Sequence, residues 1–380
     1  MPMLDWVVVG GGPHGVCAAR ALQATGAQLR IIDPSGALLD RWSTRARAVA
    51  MAWMRSPVSH HLDQHPTELH HFLHRRDNCD VASLARPFLR PMHAAFLRHA
   101  KHMIARERLH DAVLPGRVES LRDDGGCLVV EGASLVLRAR RVLLATGSNR
   151  VRIPHWARPL REEGAAANHV FETGEQLEAD IVGGGISAVQ RALEVWRRTR
   201  QTVRLWSRRP IQIAEFDNDQ SLTRARFVGR WSRLEETQRL TFLRKHAVRG
   251  TVPPGLWGRL SKAIRRGQVR LHQGPFRVER PGASRRLILT GAAGAVESRG
   301  LTLATGFEPE GIDGWLRTSV DRLGLPVRAS LPCLEADMHW GRGVYVSGPL
   351  ARLRLGPMAS NLVGARWAAS LLPGIKMQPY

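Results

Sequence analysis

The first 33 residues constrain the fold more than any other part of the chain. An apolar, β-branched run at 5–9 predicts a buried parallel strand, and Gly10-x-Gly12-x-x-Gly15 then leads into a helical pattern. A second strand follows and ends on Asp33. In such a unit the glycines allow a tight turn and a close backbone approach to a pyrophosphate at the helix N-terminus, while the acid accepts hydrogen bonds from ribose hydroxyls. The unit therefore predicts dinucleotide binding, against the alternative of a purely structural glycine turn.

The residues expected to bind the nucleotide come from the turn and from the end of the second strand. They are Gly10, Gly12, Pro13, His14, Gly15, Asp33 and Pro34.

The same unit recurs in the middle of the chain, with a different ending. A strand at 179–182 precedes Gly183-x-Gly185-x-x-Ala188, and a helix and a further strand follow. That strand ends in Ser207-Arg208-Arg209 instead of an acid. Because arginine and a hydroxyl suit a 2′-phosphate, this site should prefer NADPH to NADH. The alternative is composition, since only four of the 56 basic residues are lysines. The candidate residues are Gly183, Gly185, Ile186, Ser187, Ala188, Ser207, Arg208 and Arg209.

An Ala-Thr-Gly sequence closes each unit, at 145–147 and at 304–306, and a C-terminal strand and helix return to the first unit. The order predicts an α/β fold with two Rossmann-like dinucleotide-binding domains, the NADPH-binding domain inserted in the FAD-binding domain. We expect the FAD-binding domain at 1–155 and 308–380 and the NADPH-binding domain at 156–307, with a mostly helical insertion at about 210–265. Further candidate cofactor-binding residues are Thr146, Gly147, Thr305, Gly306, Gly348, Asn361 and Leu362.

The segment between the two units predicts further strands. Runs at 113–121, 127–131 and 134–138 indicate an antiparallel meander, and 141–147 indicates a separate buried strand.

Composition excludes several other classes. The formal net charge of +23 would suit nucleic acid, but the arginines are spread along the chain without a basic arm or a nucleic-acid motif. The sequence lacks an apolar run of about 18 residues and a secretory signal, so we expect a cytoplasmic protein that does not enter a membrane. Four scattered cysteines argue against a thiol redox centre, and the histidines at 60–74 lack metal-site spacing, so no metal is expected. Neither tyrosine begins a YxxxK motif, which excludes short-chain dehydrogenases.

The two glycine motifs, the Ala304-Thr305-Gly306-Phe307 sequence and the segment 56–73 resemble the two-dinucleotide-binding-domain flavoproteins. Among these flavoproteins, the chain is most similar to the N-hydroxylating monooxygenases of the siderophore lysine and ornithine hydroxylase type. The resemblance implies FAD, NADPH and O2, a C4a-hydroperoxyflavin, and oxygenation of a nucleophilic heteroatom, foremost N-hydroxylation of an amine or an amino-acid-derived small molecule in secondary metabolism. It also implies that Trp42 lies near the flavin and that His169 corresponds to the fingerprint histidine of flavin monooxygenases.

The substrate is left open, because the family's Asn-Glu substrate signature is absent near Phe216. Candidates for the substrate pocket are Arg55, Ser56, His60 and Asn218. Two other functions are compatible with the sequence. One is an NADPH-dependent flavin reductase that passes electrons to a quinone or a protein carrier, and the other is a non-enzymatic flavin-binding module. Whether the chain forms a homo-oligomer is also open.

Overall fold

The computed structural model of the chain describes residues 3–75, 84–148, 150–172, 177–217, 220–223, 225–245, 250–282, 284, 286–309 and 311–374. The N-terminal elements are β1 (Leu4–Val9), α1 (Pro13–Gln23), β2 (Leu29–Asp33), α2 (Asp40–Ala48), α3 (Glu68–His74), β3 (Leu84–Ala85), β4 (Arg90–Pro91), α4 (His93–Arg106), β5 (Val113–Pro115), β6 (Ser120–Asp123), β7 (Leu128–Gly132) and β8 (Leu135–Leu144).

The middle of the chain contains two further groups of elements. The first group is α5 (Ala157–Glu162), β9 (Ala167–His169), β10 (Asp180–Val182), α6 (Ile186–Thr199) and β11 (Val203–Ser207). They are followed by β12 (Gln212–Ile213), α7 (Ala225–Arg233), α8 (Glu236–Lys245), β13 (Thr251–Val252), α9 (Pro254–Arg265), β14 (Val269–Gln273), β15 (Arg277–Glu279), β16 (Leu287–Gly291), β17 (Gly294–Ser298) and β18 (Leu301–Leu303).

The C-terminal part packs back onto the N-terminal elements. It contains α10 (Gly314–Leu323), β19 (Val327–Arg328), β20 (Leu331–Pro332), β21 (His339–Gly341), β22 (Val344–Val346), α11 (Arg352–Leu355) and α12 (Leu362–Leu371).

The first sheet is built around β1. Its strand order is β21-β22-β8-β1-β2-β5, and β7 and β6 extend it from β8. β1 is parallel to both neighbours, with Val8 opposite Ile31 of β2 and Leu143 of β8. Trp6 to Val9 are buried, as a continuous apolar run requires when strands flank both edges and helices cover the faces. The contact of α1 with α12 joins the two ends of the chain in one core.

The predicted meander is correct only in part. The runs at 134–138 and 141–147 form one strand, β8, instead of two, because it changes partners at Ala139 from antiparallel β7 to parallel β1. Val113–Pro115 also leaves the meander and pairs in parallel with β2.

The second sheet is a five-stranded parallel sheet in the order β14-β11-β10-β18-β9. β10 lies at its centre, with Ile181 opposite Leu205 of β11 and Thr302 of β18. The antiparallel strands β15, β16 and β17 form a separate sheet. Two Rossmann-like sheets, each with its own glycine turn, thus confirm the predicted fold class. We call 1–155 with 308–380 the first unit and 156–307 the second unit.

The helical insertion packs against the first unit. The Trp231 indole N–H of α7 donates to the Arg354 carbonyl oxygen at 3.1 Å, and Arg239 of α8 donates to the carbonyl oxygen of Leu353 at 3.5 Å. The insertion, which belongs to the second unit, therefore also contacts the first unit.

The chain passes between the sheets twice, at adjacent places. Val151 forms an antiparallel bridge with Phe307, and the Arg152 N–H donates to the Gly306 carbonyl oxygen at 2.9 Å. No helix in the described ranges has the length and apolar character needed to cross a membrane.

Candidate active site

The first glycine turn has a cradle of the shape that a dinucleotide requires. Gly10 has φ +114°, and a Cβ there would overlap the Ala145 carbonyl oxygen, whereas one at Gly15 would overlap the carbonyl oxygen of Gly10. A Cβ on Gly12 would instead meet no described atom within 4 Å. Gly12 begins α1 without a side-chain cap, so the helix N–H groups face this open space. The turn thus fits a pyrophosphate.

Asp33 is held in a fixed orientation at the end of β2. One carboxylate oxygen accepts the Gly11 N–H at 2.8 Å, and the other accepts the N–H of Ser35 at 3.0 Å and its hydroxyl at 2.7 Å. A carboxylate accepts about four hydrogen bonds, so one acceptor position remains for a ribose hydroxyl. The residues at the first turn therefore fit FAD.

His14 and Gly348 lie together although they are far apart in the sequence. The Nδ1 atom of buried His14 hydrogen-bonds with the Ser347 hydroxyl at 2.9 Å, and Gly348 has φ +91° beside the imidazole ring. Burial lowers the pKa of His14 to about 4, against a smaller opposing effect of the Ser360 backbone. His14 is therefore neutral near pH 7.

The N-terminus of α12 is capped by Asn361, whose side-chain oxygen accepts the Gly364 N–H at 3.0 Å. Leu362 begins the helix and is buried. The preceding residues form a 3-10 turn at Gly356–Ser360, and α12 starts only after Asn361.

Trp42 packs in α2 against His93 and Phe96, with ring centroids 5.1 and 5.2 Å apart. Its contact with a flavin stays a prediction.

The two Ala-Thr-Gly sequences have different surroundings. Thr146 and Gly147 line a cavity of about 100 Å³ together with Leu350. Thr305 donates its hydroxyl proton to the Arg152 carbonyl oxygen, beside Gly306 at the crossing between the sheets.

The second glycine turn repeats the first, with one difference. A Cβ on Gly183 would overlap the Ala304 carbonyl oxygen and lie 3.0 Å from Ala188 Cβ, so this position requires glycine. A Cβ on Gly185 would lie 3.4 Å from the Gly250 Cα, whereas the space at Gly12 is open. The Gly250 backbone thus occupies the side from which a pyrophosphate would approach. The turn fits a second dinucleotide only after Gly250 moves away.

The arginines predicted to read a 2′-phosphate lie at the end of β11, next to this turn. Ser207 is buried, and its hydroxyl donates to the Arg209 carbonyl oxygen at 2.6 Å. Arg208 and Arg209 are exposed, and neither forms an ion pair with the part of the chain that the structure describes. Ile186 and Ser187 form the first turn of α6 and are half-buried. These five positions lie at the end of β11 and at the start of α6, and their roles in coenzyme binding stay predictions.

The guanidinium of Arg55 is engaged by the protein itself. It donates to the Glu215 carbonyl oxygen at 3.0 Å, to Asp217 Oδ1 at 2.6 Å and to the Ala214 carbonyl oxygen at 2.8 Å. It also donates to the Thr251 hydroxyl at 2.5 Å. Burial lowers the pKa of Arg55, and Asp217 opposes that effect. Arg55 therefore joins the first unit to the insertion beside Gly250, and its predicted substrate contact would use a side chain already bonded elsewhere.

Of the other substrate-pocket candidates, Ser56 and His60 lie near Arg55 in the sequence and are half-buried. Burial lowers the pKa of His60 to about 4, and Arg366 adds to this effect. Asn218 lies outside the described residues. Their roles in substrate binding stay predictions.

A buried ionic cluster holds the same loop, and the sequence analysis did not find it. Asp63 is 2% exposed, accepts a hydrogen bond from Arg106 at 2.9 Å and lies 3.5 Å from His99 Nε2. Burial alone would raise the pKa of Asp63, but His99 and Arg106 hold it well below its usual range. Arg366, fully buried in α12, donates to the carbonyl oxygens of Asp63 and Gln64. The cluster fixes the loop against α4 and α12.

His169, at the end of β9, is 1% exposed and accepts the Phe171 N–H at 3.3 Å on Nδ1. Burial lowers its pKa to about 4, although Glu172 opposes the shift.

Comparison with known proteins agrees with this geometry. The family model described as FAD-NAD(P)-binding matches residues 7–149, which contain the first glycine turn and Asp33. The ornithine N-hydroxylase of Kutzneria sp. 744 superposes with a TM-score of 0.75 at 16% identity, over 98% of each chain. The ornithine hydroxylase of Pseudomonas aeruginosa gives 0.75 at 19% identity, over 97% of this chain and 99% of that one. The chain has the fold of these hydroxylases.

This result confirms the resemblance as one of fold. The bacillithiol disulfide reductase of Bacillus cereus shares the architecture less closely, with a TM-score of 0.61 at 17% identity over 97% of this chain and 98% of that one. A search of curated protein sequences gives no significant match.

Proposed function

We propose that the protein is an FAD- and NADPH-dependent monooxygenase that oxygenates a nucleophilic heteroatom, foremost the nitrogen of an amine or an amino-acid-derived small molecule. The observation that carries the proposal is a pair of glycine turns with opposite endings, an acid at the first and two arginines at the second, in the fold of ornithine hydroxylases. In the balanced reaction, NADPH, a proton, O2 and the amine give NADP+, water and the hydroxylamine.

The first unit, 1–155 with 308–380, would hold FAD. The N–H groups at Gly12 bind the pyrophosphate, and Asp33 binds the ribose. The N-terminus of α12 favours negative charge on a flavin ring placed there. Bound flavin supplies the redox chemistry, accepting hydride and reacting with O2, which no side chain of the protein can do.

The second unit, 156–307, would hold NADPH. Arg208 and Arg209 bind the 2′-phosphate by charge-assisted hydrogen bonds, and the N–H groups at Gly185 bind the pyrophosphate once Gly250 has moved. Arg55 holds the segment that contains Gly250 through Thr251, so it positions the second site instead of reacting with the substrate.

The experiment is stopped-flow absorbance of the FAD-loaded protein, reduced anaerobically with NADPH and then mixed with O2. An oxygenase should show a transient absorbance that belongs to neither reduced nor oxidised flavin, and an added amine substrate should suppress H2O2 release. Direct return to oxidised flavin, together with fast electron transfer to an added quinone, would contradict the proposal and support the flavin reductase. Failure to bind FAD would contradict both.

A further inference from the structure

A cavity of about 600 Å³ lies between the two units, along one side of α6. Residues of 50–55 and 85–90 form one wall, and α6 with the start of α9 forms the other. This volume is inside the ~300–1,000 Å³ range of small-molecule sites. The α6 wall extends from Ile186 to Arg197, about 16 Å at about 1.5 Å per residue. The cavity therefore reaches well beyond the glycine turn at the start of α6.

Most of the side chains lining the cavity interior are apolar. Six of them are Trp53, Met54, Pro87, Leu193, Pro253 and Leu256. A polar diamine or a basic amino acid would lose its hydration against these walls, and the two carboxylates that line the cavity, Glu194 and Glu215, are already paired with arginines. The walls therefore favour a ligand with an apolar body.

The charged side chains of the cavity leave positive charge unpaired. Arg90 forms an ion pair with Glu215 at 2.8 Å, and Arg197 forms one with Glu194 at 2.6 Å. The exposed residues Arg86 and Arg259 come from opposite walls, and neither has an acidic partner among the residues the structure describes.

Guanidinium groups bind carboxylates with fixed geometry. A ligand carboxylate in the cavity would therefore find guanidinium donors that form no ion pair with the residues the structure describes.

We propose that this cavity is the substrate site and that the substrate is an apolar molecule bearing a carboxylate, which Arg86 and Arg259 recognise. The oxygenation of this ligand rests on the proposed function, but its binding does not. The substrate class differs from the ornithine named for the hydroxylases of the same fold.

The test is calorimetric titration of the oxidised, FAD-loaded protein with 4-phenylbutyrate, with 4-phenylbutylamine and butyrate as comparison probes. The amine reverses the charge, and butyrate lacks the apolar body. 4-Phenylbutyrate should bind about tenfold or more tightly than either, since each missing interaction is worth at least about 1.4 kcal/mol. Equal affinity for the acid and the amine would overturn the proposal.

Two variants locate the site. The double variant Arg86→Ala with Arg259→Ala should lower the affinity for 4-phenylbutyrate about tenfold. The matched control, Arg265→Ala with Arg266→Ala, removes the same charge from an exposed position at the end of α9 and should change nothing. Leu193→Trp, which adds bulk to one apolar wall of the cavity, should weaken binding while the FAD content stays normal. Unchanged affinity in the first double variant, or competitive displacement of the probe by NADP+, would show that the cavity is not a carboxylate-binding substrate site.

These outcomes separate the two proposals. If 4-phenylbutyrate binds as predicted but the protein never oxygenates a substrate, the cavity assignment stands and the monooxygenase proposal is rejected. Oxygenation of an uncharged amine without 4-phenylbutyrate binding rejects the cavity assignment alone.

Discussion

Replacing Arg208 and Arg209 together with alanine should remove most of the preference for NADPH over NADH. Both guanidinium groups are exposed and unpaired within the described chain, so their hydrogen bonds to a 2′-phosphate would be weakened by solvent. Each charge-assisted hydrogen bond is worth about 1.5–3 kcal/mol, and screening places the sum for two exposed arginines at about 2–3 kcal/mol. The apparent Kd for NADPH should therefore rise by about 30- to 150-fold.

The assay is the rate of anaerobic flavin reduction as a function of nucleotide concentration, which gives an apparent Kd for each coenzyme without involving O2. NADH lacks the 2′-phosphate, so its apparent Kd should change by no more than about twofold. Added salt should weaken NADPH binding to the unchanged protein more than to the double variant.

The control is again Arg265→Ala with Arg266→Ala, which removes two positive charges from the same unit at the far end of α9. If this control weakens NADPH binding by the same factor, the effect comes from net charge. If the Arg208 and Arg209 double variant weakens the binding of NADPH and NADH by the same factor, these two arginines do not bind the 2′-phosphate.

Three further predictions concern the first cradle, the buried cluster and pH. Gly12→Ala should fold normally but bind FAD about tenfold or more weakly, because its Cβ enters open space that the pyrophosphate needs; unchanged fluorescence-monitored FAD affinity would contradict this. Asp63→Asn should lower the free energy of unfolding by about 2–3 kcal/mol, since it leaves His99 and Arg106 without their carboxylate; an unchanged urea midpoint would reject it. Burial lowers the pKa of His169 to about 4 in the folded protein, whereas its pKa in the unfolded chain is 6.5. The neutral ring therefore contributes to the free energy of unfolding in full above about pH 6.5, and this contribution is lost as the pH falls towards 4. Between pH 7.5 and 5 it should fall by about 2 kcal/mol, and His169→Gln should be correspondingly less acid-sensitive in urea titrations; equal sensitivity would refute the argument.

The two glycine turns could be predicted from the sequence because the geometry at some of their positions permits only glycine. At Gly10 and Gly183 a side chain would overlap a carbonyl oxygen of a neighbouring strand, and this local requirement leaves a local pattern. The contact between Gly185 and Gly250 has no such pattern, because it depends on how the insertion folds back. The same holds for Asp63, whose partners lie on α4.

Strand boundaries and side-chain roles were less predictable for the same reason. The sequence of β8 was interpreted as two strands because the strand changes partners at Ala139. That change depends on the arrangement of the sheet and not on the sequence of the strand itself. Arg55 was predicted to line a substrate pocket, and this role stays a prediction. Its hydrogen bonds to 214–217 and 251 depend on tertiary contacts that a linear pattern does not contain.

The paired crossing at Val151 and Phe307 brings the two ends of the second unit side by side. Bridged residues of antiparallel strands lie about 5 Å apart, so the two ends of the second unit could be joined by a short turn without stretching the first sheet. A nucleotide-binding unit from another protein, spliced at these two positions, would inherit the same spacing between its ends. Coenzyme preference could then change by domain exchange while the flavin cradle keeps its own contacts.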